Sequence, residues 1–395
     1  MINSSTKKNN YIISSFFLMY FIALGAFAPL FSLYLQGLQF TGSQIGIIAS
    51  INPLIVLFFQ PLWGYAADLT KRFHLILIFT ILLSAGLGLL FPMLSTFSLF
   101  LLLSICLAFL QAAIEPVSTS IILSYTEKFN LSFGNFRLWG AVGYGLSIWA
   151  LGQLAQLYSL KIIFYTFSLF LALSAFYAWK LPYQPSQIKQ SKPSLRQIKK
   201  LMTHKRFLLF LLACFLVYGT MLSNNSFYGL LYISLGGTIS GLGVSFLISV
   251  GSEVPFMNLA GKLLKHINIA TILLVASFVS GVQYLLFFYH SSTNFIYLVN
   301  IAQGFSLGIF IPVSLQYVQS LTSKSFQTTA VGIYSGVSLG LGNWFFTLIG
   351  GIVLEHSNIH YVYLLFGIVS LIGMLLFLVI RLLPQNADSI LPYEG

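Results

Sequence analysis

The chain has 395 residues, of which 57% are hydrophobic and only 7% are charged, and its mean hydropathy is +0.90. A soluble domain carries about 25% charged residues, so this composition excludes a water-soluble fold and predicts an all-α integral membrane protein. The net charge of +12 could suit a protein that binds nucleic acid, but the distribution of the basic residues, given below, argues against a nucleic-acid partner.

Apolar segments long enough to cross a bilayer recur along the chain and predict twelve transmembrane helices. These segments cover residues 11–36, 42–68, 73–92, 97–126, 133–156, 160–181, 206–233, 238–262, 267–290, 294–322, 327–354 and 359–382. The connections between them are short, except for a polar stretch rich in proline at 182–205. We therefore expect an N-terminal six-helix bundle over 1–181, a basic cytoplasmic linker over 182–205 and a C-terminal six-helix bundle over 206–395. Within that linker, Ser194–Arg206 predicts a short helix on the membrane surface, with a solvated basic linker as the alternative.

The basic residues lie on one side of this topology. Of the 19 Lys and Arg residues, all but Lys161 and the intrahelical Arg137 fall in segments that the twelve-helix arrangement places on the same side. The positive-inside rule then puts both termini in the cytoplasm and predicts a multi-pass protein of the plasma membrane. Anionic lipid head groups account for the high net charge.

Glu115 is the only Asp, Glu, Lys or Arg between Arg72 and Glu127, and it lies inside an apolar segment of spanning length. A carboxylate at that depth costs several kcal/mol unless it is protonated, paired or in contact with water. Arg137 stands near the start of the next segment. We expect Glu115 and Arg137 to be a functional acid and base. The alternative for Glu115 is a structural pair. The alternative for Arg137 is a side chain that extends to the cytoplasmic interface.

A second group of polar residues ends predicted helix 2. The string Phe59–Asp68 includes Gly64 and is followed by Lys71 and Arg72. Gly64 could allow close helix approach, and Asp68 could accept from backbone N–H groups or pair with a cation on a neighbouring helix. These residues predict a cytoplasmic gate, with an ordinary interfacial acid followed by basic residues as the alternative.

The Gly-x-x-x-Asp motif with basic residues after helix 2 resembles the major facilitator superfamily. The longer string Phe-Gln-Pro-Leu-x-Gly-x-x-x-Asp, together with 16–35 and 133–144, is similar to the oligosaccharide:proton symporters. The resemblance implies two six-helix bundles with alternating access and a sugar-binding role for Arg137. It also implies that Tyr144 stacks on the sugar, and it places the family's helix-4 acid at Thr119, one turn from Glu115.

Glu253 is the only charged residue between Arg206 and Lys262 and lies within one residue of a coupling acid of the family. A lone carboxyl in an apolar helix suits reversible protonation, so Glu253 is the expected proton carrier, with a hydrogen-bonded structural acid as the alternative. Predicted helix 9 lacks the basic residue that the family carries there, and predicted helix 10 lacks the family's His and Glu. Either coupling has moved to Glu253 and Glu115, or the substrate and coupling differ.

The sequence therefore predicts a secondary active transporter that carries a small hydroxylated solute, such as a sugar, together with protons. A nucleoside or aromatic-acid symporter, a multidrug exporter, a non-transporting membrane sensor and a membrane-embedded enzyme remain as alternatives. The chain has no phosphate-binding loop, metal-ligand spacing or nucleophile–base set, so we expect no enzyme activity, cofactor or metal. A monomer is expected.

Overall fold

The computed structural model describes residues 4–182, 199, 201–289, 292–322 and 326–383. The regular structure within these ranges is helical. The first six helices are α1 (Ser4–Gly37), α2 (Gly42–Thr70), α3 (Phe73–Gly88), α4 (Phe97–Lys128), α5 (Phe133–Leu157) and α6 (Ile162–Trp179). The others are α7 (Lys205–Ser234), α8 (Ile239–Leu263), α9 (Ile269–Phe288), α10 (Thr293–Ser320), α11 (Gln327–Ser335, a π-helical segment Gly336–Gly342, then Asn343–His356) and α12 (Ile359–Leu382).

These elements follow the twelve apolar segments of the sequence. Eleven of the helices in the described part of the chain are long and apolar enough to cross a membrane. The other, α5, has 25 residues but includes Arg137, amide side chains and several glycines, which lower its hydropathy. The linker residues 183–198 and 200, with most of the predicted surface helix Ser194–Arg206, lie outside the described residues.

The chain divides into two compact units. The first comprises residues within Met1–Ile188, Tyr228–Ile233 and Gly237–Leu247. In it, α1 packs on α5 and α6, α2 packs on α4, and α3 packs on α4 and α6.

The contact between α1 and α5 depends on glycine. A Cβ atom on Gly25 would lie 2.7 Å from the carbonyl oxygen of Tyr144, and one on Gly143 would lie 2.6 Å from that of Leu18. Only glycine lets the two backbones approach this closely. This contact fixes the position of α5, the helix that carries Arg137.

The first turns of α8 belong to the first unit and contact the end of α5. Gln156 accepts a hydrogen bond from the backbone N–H of Ile239 over 3.0 Å, and the Ser240 hydroxyl donates to the side chain of Gln153. The first unit therefore contains part of the segment that the sequence assigns to the C-terminal bundle.

The second unit comprises residues within Lys189–Phe227, Ser234–Gly236 and Ile248–Gly395. In it, α9 packs on α10 and α12. The π-helical segment of α11 ends at Gly342, which packs against Gly219 of α7 so closely that a Cβ on Gly219 would lie 2.8 Å from the Gly342 carbonyl carbon. Ser223 of α7 donates to the carbonyl oxygen of Asn343 over 3.1 Å and accepts from Thr347 over 3.0 Å. These bonds join α7 to α11.

Candidate functional site

The two charged side chains singled out in the first half of the sequence form an ion pair. The Arg137 Nη1 atom, on α5, donates a hydrogen bond to the Glu115 Oε1 atom, on α4, over 3.2 Å. Glu115 lies about 27 Å from the first residue of α4 and about 20 Å from its last, at 1.5 Å per residue. The pair is therefore deep within a helix of membrane-spanning length.

This ion pair is accessible in spite of its depth. The side chain of Arg137 is 49% exposed and that of Glu115 is 53% exposed. Charges at such a depth are tolerated where they face a water-filled space rather than lipid. The pair is therefore a candidate binding surface.

An aromatic ring of α1 lies beside the Arg137 guanidinium. The Phe21 ring centre lies 5.9 Å from Arg137 Cζ, a distance at which a ring attracts a cation. The Tyr20 side chain, next to Phe21 in the sequence, is buried. Gly140 leaves room for Phe21, since a Cβ there would lie 2.7 Å from Phe21 Cδ2. The guanidinium thus interacts with Glu115 of α4 and with Phe21 of α1.

Two amides that the sequence did not single out extend this polar surface. Asn52 of α2 donates from Nδ2 to Gln111 Oε1 over 3.1 Å. Gln111 precedes Glu115 by one helical turn, and Thr119 follows Glu115 by one turn, so the three share a face of α4. That four-residue spacing is the signal that could have identified Gln111, whereas no spacing links Asn52 to it.

Tyr144 and Thr119 also occupy the expected helices. Tyr144 lies two helical turns beyond Arg137 on the same face of α5, and its side chain is partly buried. Thr119 is partly buried too. With Gln111, Glu115 and Arg137, these residues give the first unit a set of neutral and charged hydrogen-bonding groups on adjacent helices.

Glu253 belongs to the second unit and lies on α8. Its side chain is partly buried. The structure shows no ion pair between Glu253 and a described Lys, Arg or His. Gly308 of α10 packs against the Glu253 backbone, where a Cβ would lie 2.5 Å from its carbonyl oxygen. The carboxyl group is thus on a firmly packed helix without a cationic partner among the described residues.

The expected gating residues lie at the exposed end of α2. Asp68, Lys71 and Arg72 are all exposed. Lys71 ends the helix in the left-handed region, at φ 55°, and its N–H donates to the carbonyl oxygen of Ala67 over 2.9 Å. A Cβ on Gly64 would meet no atom within 4 Å, so Gly64 makes no close helix contact in this conformation. Asp68 forms no ion pair with a described residue.

The polar residues of α10 have different surroundings. Asn300 and Gln303 are buried, and Gln316 is exposed. The first two therefore contribute to packing within the second unit rather than to an accessible surface. Across the described ranges, no group of three His, Cys, Asp or Glu side chains could hold a metal ion.

The fold agrees with a comparison with known families. The model of the MFS_1 like family matches residues 11–365. The chain belongs to this family of the major facilitator superfamily. It is therefore a membrane transporter rather than an enzyme, and the twelve-helix fold predicted from the sequence is confirmed.

Individual members of the superfamily resemble the chain over nearly its whole length. It is 37% identical to the maltose permease of Geobacillus stearothermophilus over 375 residues, which cover 95% of both chains. It is 34% identical to the transporter YwbF of Bacillus subtilis (strain 168), with 99% of this chain and 98% of YwbF covered. The crystal structure of the nucleoside transporter NupG superposes with a TM-score of 0.85 at 18% identity, over 95% and 99% of the two chains. That likeness concerns the fold.

Proposed function

We propose that the protein is a proton-coupled symporter for a small uncharged polyhydroxyl solute, in the first place a disaccharide such as maltose. The observation that carries this proposal is the half-exposed ion pair of Glu115 and Arg137 deep within α4 and α5. The 37% identity to a maltose permease supports the choice of sugar.

The chemistry of the polar surface suits hydroxyl groups. A carboxylate only accepts hydrogen bonds and a guanidinium only donates them, whereas a sugar hydroxyl does both. The planar guanidinium of Arg137 can donate to two neighbouring hydroxyls at once. Gln111, one turn from Glu115 on α4, and Asn52 of α2 offer further donors and acceptors, and Tyr144 offers a ring for the apolar face of the sugar. Thr119 adds a hydroxyl on the same face of α4.

The same ion pair argues against an anionic substrate. Glu115 lies 3.2 Å from Arg137 and neutralises it, so a carboxylate or phosphate that approached the guanidinium would also meet the Glu115 charge. An aromatic acid is therefore a weaker candidate than a sugar. A nucleoside is uncharged and polyhydroxylated, and it is the competitor that the experiment below must separate from the sugar.

We infer that Glu253 carries the proton. It is a partly buried carboxyl group on a membrane-spanning helix, without a described cation to hold it in the charged form. Glu115, in contrast, is bound to Arg137. Protonation of Glu115 would require the pair to separate. Glu115 is therefore a second coupling residue only when the substrate displaces Arg137 from it.

The orientation follows from the exposed ends of the helices. Lys71, Lys128, Lys262 and Arg381 lie at the ends of α2, α4, α8 and α12. We infer that these ends face the cytoplasm of a plasma membrane. One chain supplies Glu115, Arg137 and Glu253, so a monomer suffices for the proposed cycle.

The test is uptake by proteoliposomes that contain the purified full chain. A pH gradient, alkaline inside, is imposed, and radiolabelled maltose, lactose, a nucleoside and an aromatic acid are supplied separately. Maltose should accumulate above its external concentration, and a protonophore should abolish the accumulation. Accumulation of the nucleoside alone would refute the sugar assignment. Gradient-independent equilibration of every solute would refute proton coupling.

A further inference from the structure

A pocket lies at the basic end of the second unit, and none of its lining residues belongs to the polar surface of the first unit. It has a volume of about 200 Å³, and its polar lining consists of Arg206, Asn268, Tyr317, Ser320 and Arg381. It thus lies where α7 and α9 begin and where α10 and α12 end. Its lining contains two guanidinium groups and no Asp or Glu.

The two arginines reach the pocket from different helices. Arg206 lies at the start of α7, is partly buried and donates from Nη2 to the carbonyl oxygen of Leu383 over 2.7 Å. That bond holds the guanidinium in place on the pocket wall. Arg381 lies in the last turn of α12 and is exposed. Guanidinium groups stay charged at any accessible pH and bind phosphate oxygens through several N–H donors.

The first turn of α9 adds to the positive potential. Asn268 caps this 20-residue helix, and its side chain accepts from the backbone N–H of Ala270 over 2.9 Å. A helix start carries partial positive charge and favours an anion nearby. Lys205 and Lys265 are close in sequence to Arg206 and Asn268, which keeps the neighbourhood basic.

We propose that this pocket binds a phosphate group, in the first place that of an anionic phospholipid. Pockets of basic residues between membrane-spanning helices suit lipid head groups. The volume exceeds the roughly 30 Å³ that one water occupies in the liquid, so a polyatomic anion can enter. Leu382, next to Arg381 in the sequence, is 74% exposed and offers apolar surface for an acyl chain. A soluble phosphate has the same head-group chemistry, and the experiment separates the two sources.

The first arm uses native mass spectrometry of the purified full chain with equal amounts of phosphatidylglycerol and phosphatidylcholine. The wild-type protein should retain phosphatidylglycerol at least about fivefold more than phosphatidylcholine. Arg381→Gln should retain the two lipids nearly equally, and because Arg381 is exposed, this variant should fold. Arg206→Gln should do the same, although it also loses the bond to Leu383. Lys128→Gln, which removes one charge from the end of α4, should keep the wild-type preference.

The second arm measures the thermal unfolding midpoint as inorganic phosphate is added. If phosphate raises the midpoint of the wild type but not of Arg381→Gln, while the two lipids are retained equally, the pocket takes free phosphate. The proposal is overturned if both lipids are retained equally and phosphate acts alike on all variants. It is also overturned if both arginine variants keep the full lipid preference. Neither arm depends on transport, so each outcome is independent of the proposed function.

Discussion

The Nη1 atom of Arg137 lies 3.2 Å from the Oε1 atom of Glu115, and both side chains remain about half exposed. A fully buried salt bridge offsets the desolvation of its two charges only with good geometry and additional hydrogen bonds. This one keeps part of both groups accessible, as the proposed exchange of contacts with a solute requires. The first two predictions concern this surface.

Replacement of Arg137 by lysine should weaken substrate binding by about 10- to 100-fold, because hydrogen bonds to charged groups contribute about 1.5–3 kcal/mol and lysine lacks the planar fork. The positive charge beside Glu115 is kept, so the thermal unfolding midpoint should change little. The measurement is equilibrium binding of labelled maltose to purified protein. Lys161→Arg, a cation exchange outside the site, serves as the control. Wild-type affinity in Arg137→Lys would remove Arg137 from the binding site.

Asn52 and Gln111 should act as one unit. Asn52→Ala and Gln111→Ala should each weaken maltose binding by about fivefold, near the 1 kcal/mol typical of a hydrogen bond. Because the two amides are in contact, the double variant should lose less than the sum of the two single losses. Gln36→Ala, at the exposed end of α1, is the matched control. Losses that simply add, or no loss, would contradict a shared role in binding.

Charge made the site partly predictable from the sequence. Glu115 and Arg137 stand out because ionisable residues are rare in membrane-spanning helices, and the twelve helices follow from runs of apolar residues. Amides carry no such signal, so the contact between Asn52 and Gln111 could only come from the packing of α2 on α4.

The π-helical segment of α11 could not be predicted from the sequence either. The spacing of Gly332, Gly336 and Gly340 predicts a packing face on α11, yet a Cβ on Gly332 would meet no atom within 4 Å, and a π-helical segment spans Gly336–Gly342. Gly340 is buried, and Gly342 makes a close contact with Gly219. The wider π-helical turn changes which residues share a face, and no residue spacing shows where such a turn begins.

Glu253→Gln should separate coupling from transport. Glutamine keeps the size of the side chain but cannot release a proton, so uphill uptake driven by a pH gradient should be lost. Exchange of labelled for unlabelled solute at equal pH needs no net proton movement and should continue near the wild-type rate. Both are measured in the same proteoliposomes, with Glu127→Gln, an exposed acid at the end of α4, as the control. Uphill uptake that persists in Glu253→Gln would assign coupling elsewhere.

Side chains added between α1 and α5 should destabilise the first unit. Gly25→Leu and Gly143→Leu each force a side chain against a backbone oxygen less than 3 Å from the new Cβ, and overpacking of this kind typically costs about 1–3 kcal/mol. Gly86→Ala is the comparison: it lies on α3, where a Cβ meets no atom within 4 Å. It should be neutral, or stabilising by about 0.5–1 kcal/mol. Thermal unfolding in detergent measures all three, and equal midpoints would contradict the close contact.

Asp68 should affect the rate of transport without affecting stability. The side chain is exposed and forms no ion pair with a described residue in this conformation, so Asp68→Asn should change the unfolding free energy by less than about 0.5 kcal/mol, as for most surface substitutions. If Asp68 pairs with a cation only when this end of the protein closes, the variant should lower the maximal uptake rate about tenfold, which corresponds to about 1.4 kcal/mol. Maltose affinity should stay the same, because the residue is remote from Glu115.

Glu127→Gln again provides the control, with both properties unchanged. An unchanged rate in Asp68→Asn would leave the residue as an ordinary interfacial acid, and a fall in rate matched by a fall in the unfolding midpoint would assign it a structural role.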